Sequence, residues 1–545
     1  MAYNLIDERW IPVLRQSGKV EMIAPAQIVE RDDPPLRIAS PRPDFDGALL
    51  EFLIGLLQTA AAPATERKWE EELESAPTVV QLKARLDTVR EAFFLDGDGP
   101  RFMQDSSLNA GNSKPKPIGY LLISRAGEES IDDGPSLFAK AGEVAALSDP
   151  AVAVAVYLLQ AHAPSGGGGG GGHFTSLRGG SALSAVIVAD GLWATAWANV
   201  LPLESFAERR TACCDESLFP WLGKIRGADK KTGRPISSAE VHPSHAYWAL
   251  PRRVLLSEKG TTACAVYSSR QPSWIGLRTA TVGMRYDGLL HPLAAYKRKS
   301  ESEPWLPLLT PEEGISYREW PLIACVSPSA RCPKVVAHFL GTRRSQLLRA
   351  PRLASFGYAM ESMKPLLWCS AETPLVRIDD HLQAQWSEQV QSLVGVAEEV
   401  RSTVVSQLRA AWSDRPSDLD FSTVSRRVSP AFWSATEPAF FRTVQALKAE
   451  LEAGRTADAP KEAWLSSLHA AALALFARFT DASADLAAPD LRRVILARRS
   501  LVQFTSPGAA KLRKSLGLVA PSQPKAKASR GRGAGRRNTQ ESVHE

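Results

Sequence analysis

Seven consecutive glycines, Gly166 to Gly172, interrupt this chain and exclude regular helix or strand through that stretch. Glycine loses more backbone entropy on ordering than any other residue, so such a run makes sense in two settings. One is a flexible linker. The other is a place where bare backbone approaches a bulky partner, such as a phosphate chain or a nucleic-acid groove. The run continues into His173-Phe174-Thr175-Ser176-Leu177-Arg178-Gly179-Gly180, an aromatic ring, two hydroxyls and a guanidinium that a linker does not need. Standard nucleotide cradles do not fit. A glycine homopolymer satisfies GxGxxG trivially, and the dinucleotide signature also needs a strand before it and a helix after it. Ala151 to Ala161 reads as a strand or a short buried helix, but Ser181 to Asp190 reads as another strand. A P-loop fails because His173 follows Gly172 where Lys-Ser/Thr is required.

With 545 residues, 44% of them apolar and 23% charged, the chain has the length for two or three domains and the composition of a globular protein. No segment reaches the 18 or so apolar residues of a membrane span. The opening MAYNLIDERWIPV has neither a basic n-region nor an apolar h-region, so no signal peptide and a cytoplasmic location are expected. The cysteines Cys213, Cys214, Cys264, Cys325, Cys332 and Cys369 form no CxxC fork and read as buried free thiols. His242 and His245 would make half a metal site with no second pair, so no metal is expected. The net charge of +6 is uneven: six cations and two carboxylates after residue 520 leave the tail at +4 and the rest at +2. Any nucleic-acid surface on the body is therefore a local patch. The tail lacks large apolar residues and is expected to be disordered.

The pattern predicts an α+β protein: a large mixed domain over residues 1–375, an antiparallel four-helix bundle over 376–517 and a disordered basic tail over 518–545. In the first part, Tyr3 to Val13 reads as a strand and Phe45 to Ala61 as an apolar helix. A charged helix pair covers 65–94, and short strands follow from Gly119 to Ile323, with Tyr286-Asp287-Gly288 as a hairpin turn. After Pro374 the apolar period lengthens. Trp386, Val390, Leu393, Ala397, Val400, Val404 and Leu408 form one helical stripe. Phe440, Val444, Leu447 and Leu451, with Pro438 near the start, form a second. Leu465, Leu468, Ala472, Leu475 and Phe479, entered through Pro460, form a third. Val494, Ala497, Leu501 and Phe504 form a fourth.

No catalytic constellation is present: there is no HExxH, no GxSxG elbow and no carboxylate cluster in a strong context. Asp379-Asp380-His381 falls at a helix start, where acids favour the dipole. Neither catalytic residues nor a cofactor are expected. The chain offers cations near turn-rich backbone instead: Arg178, Lys297, Arg298, Lys299, Arg343, Arg344, Arg349 and Arg352.

Five segments occur in a telling order: NLIDERWIPV, PRPDFDGALLEFLIGLLQ, RFMQD at 101–105, the glycine run with SLRGG, and FGYAMESMKPLLW at 356–368. Together with the helical C-terminal part they resemble the large subunit of the type I-E CRISPR surveillance complex Cascade, the CasA family, over residues 3–515. The resemblance implies a noncatalytic DNA reader that inspects duplex DNA for the protospacer-adjacent motif (PAM). It implies a glycine loop at the minor groove, here Gly170, Gly171 and Gly172 with His173 beside it. It also implies a wedge that enters the duplex, here Glu361, Ser362 and Met363, after which guide RNA pairs with the opened strand. Phosphate contacts fall to Arg178, Arg278, Arg285, Lys297, Arg298, Lys299, Arg343, Arg344 and Lys364. Implied partners are guide RNA, target duplex DNA, subunits of the CasB, CasC, CasD and CasE families, and a helicase–nuclease, with one copy of this chain per complex. The segment between Asp105 and Asp149 is expected at the guide's 5′ end. Thr281 stands where the family pattern has a lysine near the motif, with Arg278 and Arg285 close in sequence. Glu361 would be repelled by phosphate, so it needs a basic neighbour such as Lys364, or Ser362 and Met363 carry the wedge.

Bare backbone suits a minor groove about 6 Å wide with a degenerate acceptor pattern. Two other readings stay open: an enzyme holding a phosphorylated substrate on the loop with Arg178 as anion clamp, and a scaffold whose helices bind proteins.

Overall fold

The computed structural model describes residues 2–123, 144–164, 176–206, 214–226, 234–267, 272–280, 283–325, 330–342, 344–361, 364–413, 415, 422–481 and 490–519. The first sheet has the order β2-β1-β3, from β1 (Ile11–Arg15), β2 (Val20–Ile23) and β3 (Pro35–Ile38). The strand expected from Tyr3 begins only at Ile11. Asn4 turns the preceding segment, its carbonyl accepting from Asp7 and Glu8 and its side chain accepting from the Ile6 amide at 2.9 Å.

Helix α1 (Pro43–Ala60) starts with Pro43 at a tolerated first-turn position, and Asp44 and Asp46 sit where the helix dipole favours acids. It is buried on nearly every side because later elements wrap it. Phe52 lies at the centre of this core, with the rings of Trp10, Phe93, Phe102, Tyr157 and Trp248 edge-on at 5.1–5.9 Å. Gly55 lets the Tyr247 ring lie where a Cβ would sit 3.0 Å away. Helices α2 (Glu66–Glu74) and α3 (Val79–Leu86) are the charged pair, followed by a 3-10 segment to Phe93.

β4 (Lys114–Pro117) joins the sheet β4-β8-β7, completed by β7 (Arg253–Gly260) and β8 (Ser273–Ala280). The alternating run after Asp149 forms helix α4 (Asp149–His162), buried all round and packed on α1, which settles its two readings for helix. β5 (Ser184–Val188) follows, then α5 (Leu192–Ala198) and α6 (Leu203–Phe206). The expected hairpin turn at Tyr286 is instead a two-residue parallel ladder, β6 (Ile236–Ser237) with β9 (Tyr286–Asp287). Gly288 then leaves at φ +69°. β10 (Tyr296–Lys297), β11 (Leu306–Pro307) and β12 (Ala330–Arg331) form a small sheet. Helices α7 (Trp320–Ala324), α8 (Lys334–Gly341) and α9 (Arg344–Leu347) lead to the long hairpin of β13 (Arg352–Glu361) and β14 (Lys364–Pro374). This hairpin pairs with β5 in the order β14-β13-β5.

Beyond Pro374 the described chain is helical: α10 (Gln383–Trp412), α11 (Ser422–Glu452), α12 (Asp458–Thr480), α13 (Leu491–Thr505) and α14 (Ala510–Ser515). The four long helices pack on one another through the predicted stripes. Trp464 donates its indole N–H to the Leu393 carbonyl at 3.0 Å, and Trp412 donates to that of Phe479 at 3.2 Å. Two expectations are corrected. The second helix begins well before Pro438 and contains both Pro430 and Pro438, because its packed face holds it through both. The fourth stripe buries Ala497 and Leu501, whereas Phe504 is exposed. Tyr317 ties these helices to the rest, stacked 4.3 Å from Phe440 and hydrogen-bonded to Thr436 at 2.8 Å. Among the described residues no helix is long and apolar enough to cross a membrane.

Candidate nucleic-acid interface

The glycine segment leaves the end of α4 and returns at Ser176. Residues 165–175, with Gly170, Gly171, Gly172 and His173, lie outside the described residues, but both stalks are placed. The Ser176 amide donates to the Ala163 carbonyl at 3.3 Å, closing the base, and Gly179 turns the returning chain at φ +86°. That base rests on a buried charge cluster. Arg178 gives two hydrogen bonds to the Glu51 carboxylate, at 3.1 and 2.8 Å, and a third to Ser184 Oγ at 2.6 Å. His162 Nε2 lies 3.4 Å from the same carboxylate.

Arg178 is thereby corrected as a phosphate contact. Its side chain is 1% exposed and its donors face Glu51, which is 0% exposed. Burial pushes the Glu51 carboxyl upward, yet Arg178 and His162 together outweigh it and hold the group well below the usual range. Burial pushes His162 down, so it is neutral at neutral pH, and its Nδ1 is buried without a partner among the described residues. Arg344 is corrected for the same reason. It is 0% exposed, pairs with Glu66, donates to the Val200 carbonyl at 2.9 Å and stacks 3.8 Å over Trp69. Arg343 lies outside the described residues.

The hairpin rises from this same cluster. Trp368 of β14 sets its ring edge-on to His162 at 5.4 Å, and Gly357 of β13 packs where a Cβ would lie 2.5 Å from the Ala182 carbonyl oxygen. At the tip Ser362 and Met363 lie outside the described residues. Glu361 does meet a basic partner, but it is Arg426 of α11, at 2.7 Å. Lys364 is exposed on the returning strand, followed by exposed Leu366 and Leu367.

The other cations are at the surface. Arg278 is half-buried on β8, Arg285 is exposed before β9, and Lys297 and Lys299 are exposed around β10. Arg298 lies 4.5 Å over the Trp305 ring, whose other neighbour is Arg331 at 4.2 Å. Sequence reasoning missed Trp305 and Arg331, because strand pairing and not sequence proximity brings them to Arg298. It also missed Arg252, beside the glycine stalk.

The histidine and cysteine expectations have clear outcomes. His245 is buried with Nδ1 at 2.9 Å from the Ser217 carbonyl and Nε2 at 3.2 Å from the Tyr286 hydroxyl, and burial takes it down to about 4. His242 accepts from the Ser244 amide at 3.1 Å. Cys264, Cys325, Cys332 and Cys369 are buried free thiols, with burial raising Cys325 to about 12, whereas Cys214 is exposed. Asp379, Asp380 and His381 are exposed at a 3-10 turn ahead of α10.

The fold as a whole is similar to that of solved CasA and Cse1 structures. A CasA structure from Thermus thermophilus superposes with a TM-score of 0.66 at 20% identity, over 95% of this chain and 100% of that one. Cse1 of Acidimicrobium ferrooxidans gives 0.65 at 15% identity, over 95% and 98%. A chain of a CRISPR RNA-guided surveillance complex gives 0.64 at 16% identity, over 92% and 99%. No curated protein matches the sequence. The model of the family described as CRISPR-associated protein Cse1 matches residues 4–475, and the chain belongs to that family.

Proposed function

We propose that this chain is the large, DNA-reading subunit of a type I-E Cascade complex, working in the cytoplasm without catalysis of its own. The observation that carries this reading is the shared root of its two probes. The glycine stalks and the β13–β14 hairpin are built on one buried cluster, Glu51, His162 and Arg178 with Trp368. A groove-reading loop and a wedge must keep a fixed spacing to act on one duplex, and a common rigid root supplies it. Gly170, Gly171, Gly172 and His173 face the PAM minor groove in this reading. Glu361, Ser362 and Met363 form the wedge, whose unstacking of a base step costs about a few kcal/mol, offset by new contacts. Lys364, Arg278, Arg285, Lys297, Arg298, Lys299 and Arg343 hold phosphate, giving salt-dependent affinity without sequence information. Sequence choice then passes to guide-RNA pairing.

The mixed part, 1–375, carries the probes. The helices of 376–517, read as an antiparallel bundle ahead of a disordered tail, offer surfaces to the CasB, CasC, CasD and CasE subunits and the helicase–nuclease, one copy of this chain per complex. The phosphorylated-substrate reading loses its support, because its anion clamp, Arg178, is spent on Glu51. Gly171→Asp in the assembled complex tests the proposal by gel-shift titration. PAM-dependent binding is expected to disappear with assembly intact, and unchanged target affinity would sink the loop assignment. The scaffold reading makes a different forecast. It requires that Lys297→Ala with Arg298→Ala leave DNA affinity and its salt slope unchanged.

A further inference from the structure

Among the described residues, Arg252 is a largely buried cation without an acid. It stands just before β7, where its backbone is clamped by the Gln160 amide of α4. Its N–H donates to Gln160 Oε1 and its carbonyl accepts from Nε2, both at 2.9 Å. One terminal nitrogen donates to the carbonyl of Pro164, the last described residue before the glycine segment, while Nε is buried with no acceptor among the described residues. Burial lowers its basicity, and only Tyr120 works the other way. The neighbouring acid, Asp105, is already committed to Arg253.

A desolvated guanidinium left without a carboxylate is costly, and proteins retain one chiefly where an anion completes it. The surroundings favour the same outcome. Chain leaving β8 runs alongside, since Arg253 pairs with Ala280, and Met284 donates to the Leu250 carbonyl at 3.2 Å. A Cβ on Gly283 would lie 1.8 Å from the Pro251 carbonyl oxygen, so the two segments touch. Residues 281 and 282, Thr and Val, bring no charge.

We propose that Arg252 binds a phosphodiester oxygen of duplex DNA at the root of the glycine segment. The inference rests on the DNA-reading function above and adds a residue to it. In the assembled complex, duplex affinity is titrated against salt for wild type, Arg252→Gln and Arg252→Lys, with and without the target motif. Arg252→Gln is expected to bind several-fold more weakly and to flatten the log–log salt slope by about 0.9, the value of one lost phosphate contact on B-DNA. Arg252→Lys should restore the slope. Weaker binding with an unchanged slope would mean that Arg252 only holds the Pro164 carbonyl, and would overturn the proposal. If Arg252→Gln does not assemble, the thermal midpoint of the full chain in inorganic phosphate, against chloride at equal ionic strength, decides instead. Wild type should gain more than Arg252→Gln, and equal gains would overturn the proposal. Because the slope is also read on duplex without the motif, loss of motif preference by wild type would count against the DNA-reading function alone.

Discussion

Basic residues occupy two kinds of environment in this chain, and partner carboxylates separate them. Arg178 and Arg344 are buried on Glu51 and Glu66, whereas Arg278, Arg285, Lys297 and Lys299 have no such partner among the described residues. Removing one member of a buried pair leaves its partner uncompensated, so Arg178→Met should cost about 3–5 kcal/mol, read as a large drop in thermal midpoint. A drop no larger than that of a surface arginine would contradict the buried-cluster account. The second pair has a pH signature. Burial pushes Glu66 up, but hydrogen bonds from His338 and Arg344 and their charges bring it down to about 2 from 4.5. A carboxylate depressed on folding stabilises above its unfolded pKa, and that contribution fades as pH falls through the folded value. The thermal midpoint should therefore fall between about pH 4.5 and 2, and fall less in Glu66→Gln, when melting is followed across that range.

At the scale of elements, β13 runs from a tightly fitted middle to a partly exposed end at Glu361. Gly357→Ala would drive a Cβ to within 2.4 Å of Thr310 Oγ1 and 2.5 Å of the Ala182 carbonyl oxygen. Overpacking of this kind costs about 1–3 kcal/mol, measurable by denaturant titration, and an unchanged midpoint would refute the fit. The tip behaves differently. Glu361 and Arg426 are 46% and 62% exposed, so Glu361→Ala should change stability by less than about 1 kcal/mol. In the DNA-reading account it also removes a carboxylate facing phosphate and strengthens non-specific duplex binding in a gel shift. The periodic helices were legible from Trp386 onward because packing at 3.6-residue spacing leaves its mark in one sequence window. The turn at Tyr286 was misread because its parallel partner, Ile236, lies 50 residues away in the chain. Nothing local distinguishes a two-residue ladder from a hairpin.

Across the whole molecule, α1 and α4 form a buried axis on which the other N-terminal elements are hung, and Tyr317 couples that body to the C-terminal helices. The site was only partly legible. Motif order pointed to the segment around Glu361, which the structure places at the end of β13, whereas Gly170 to His173 lie outside the described residues. Which arginines face solvent was hidden, because Glu51 precedes Arg178 by 127 residues and Glu66 precedes Arg344 by 278. Arg252 was hidden for the opposite reason, since its mark is a partner it lacks among the described residues. In the proposed DNA-reading function, this chain gives its complex the ability to tell PAM-bearing DNA from other duplex. Omission and add-back measure that most directly. The ratio of affinities for duplexes with and without the motif should fall to one in complex lacking the chain and return on adding it. The same ratio with and without the chain would contradict the account.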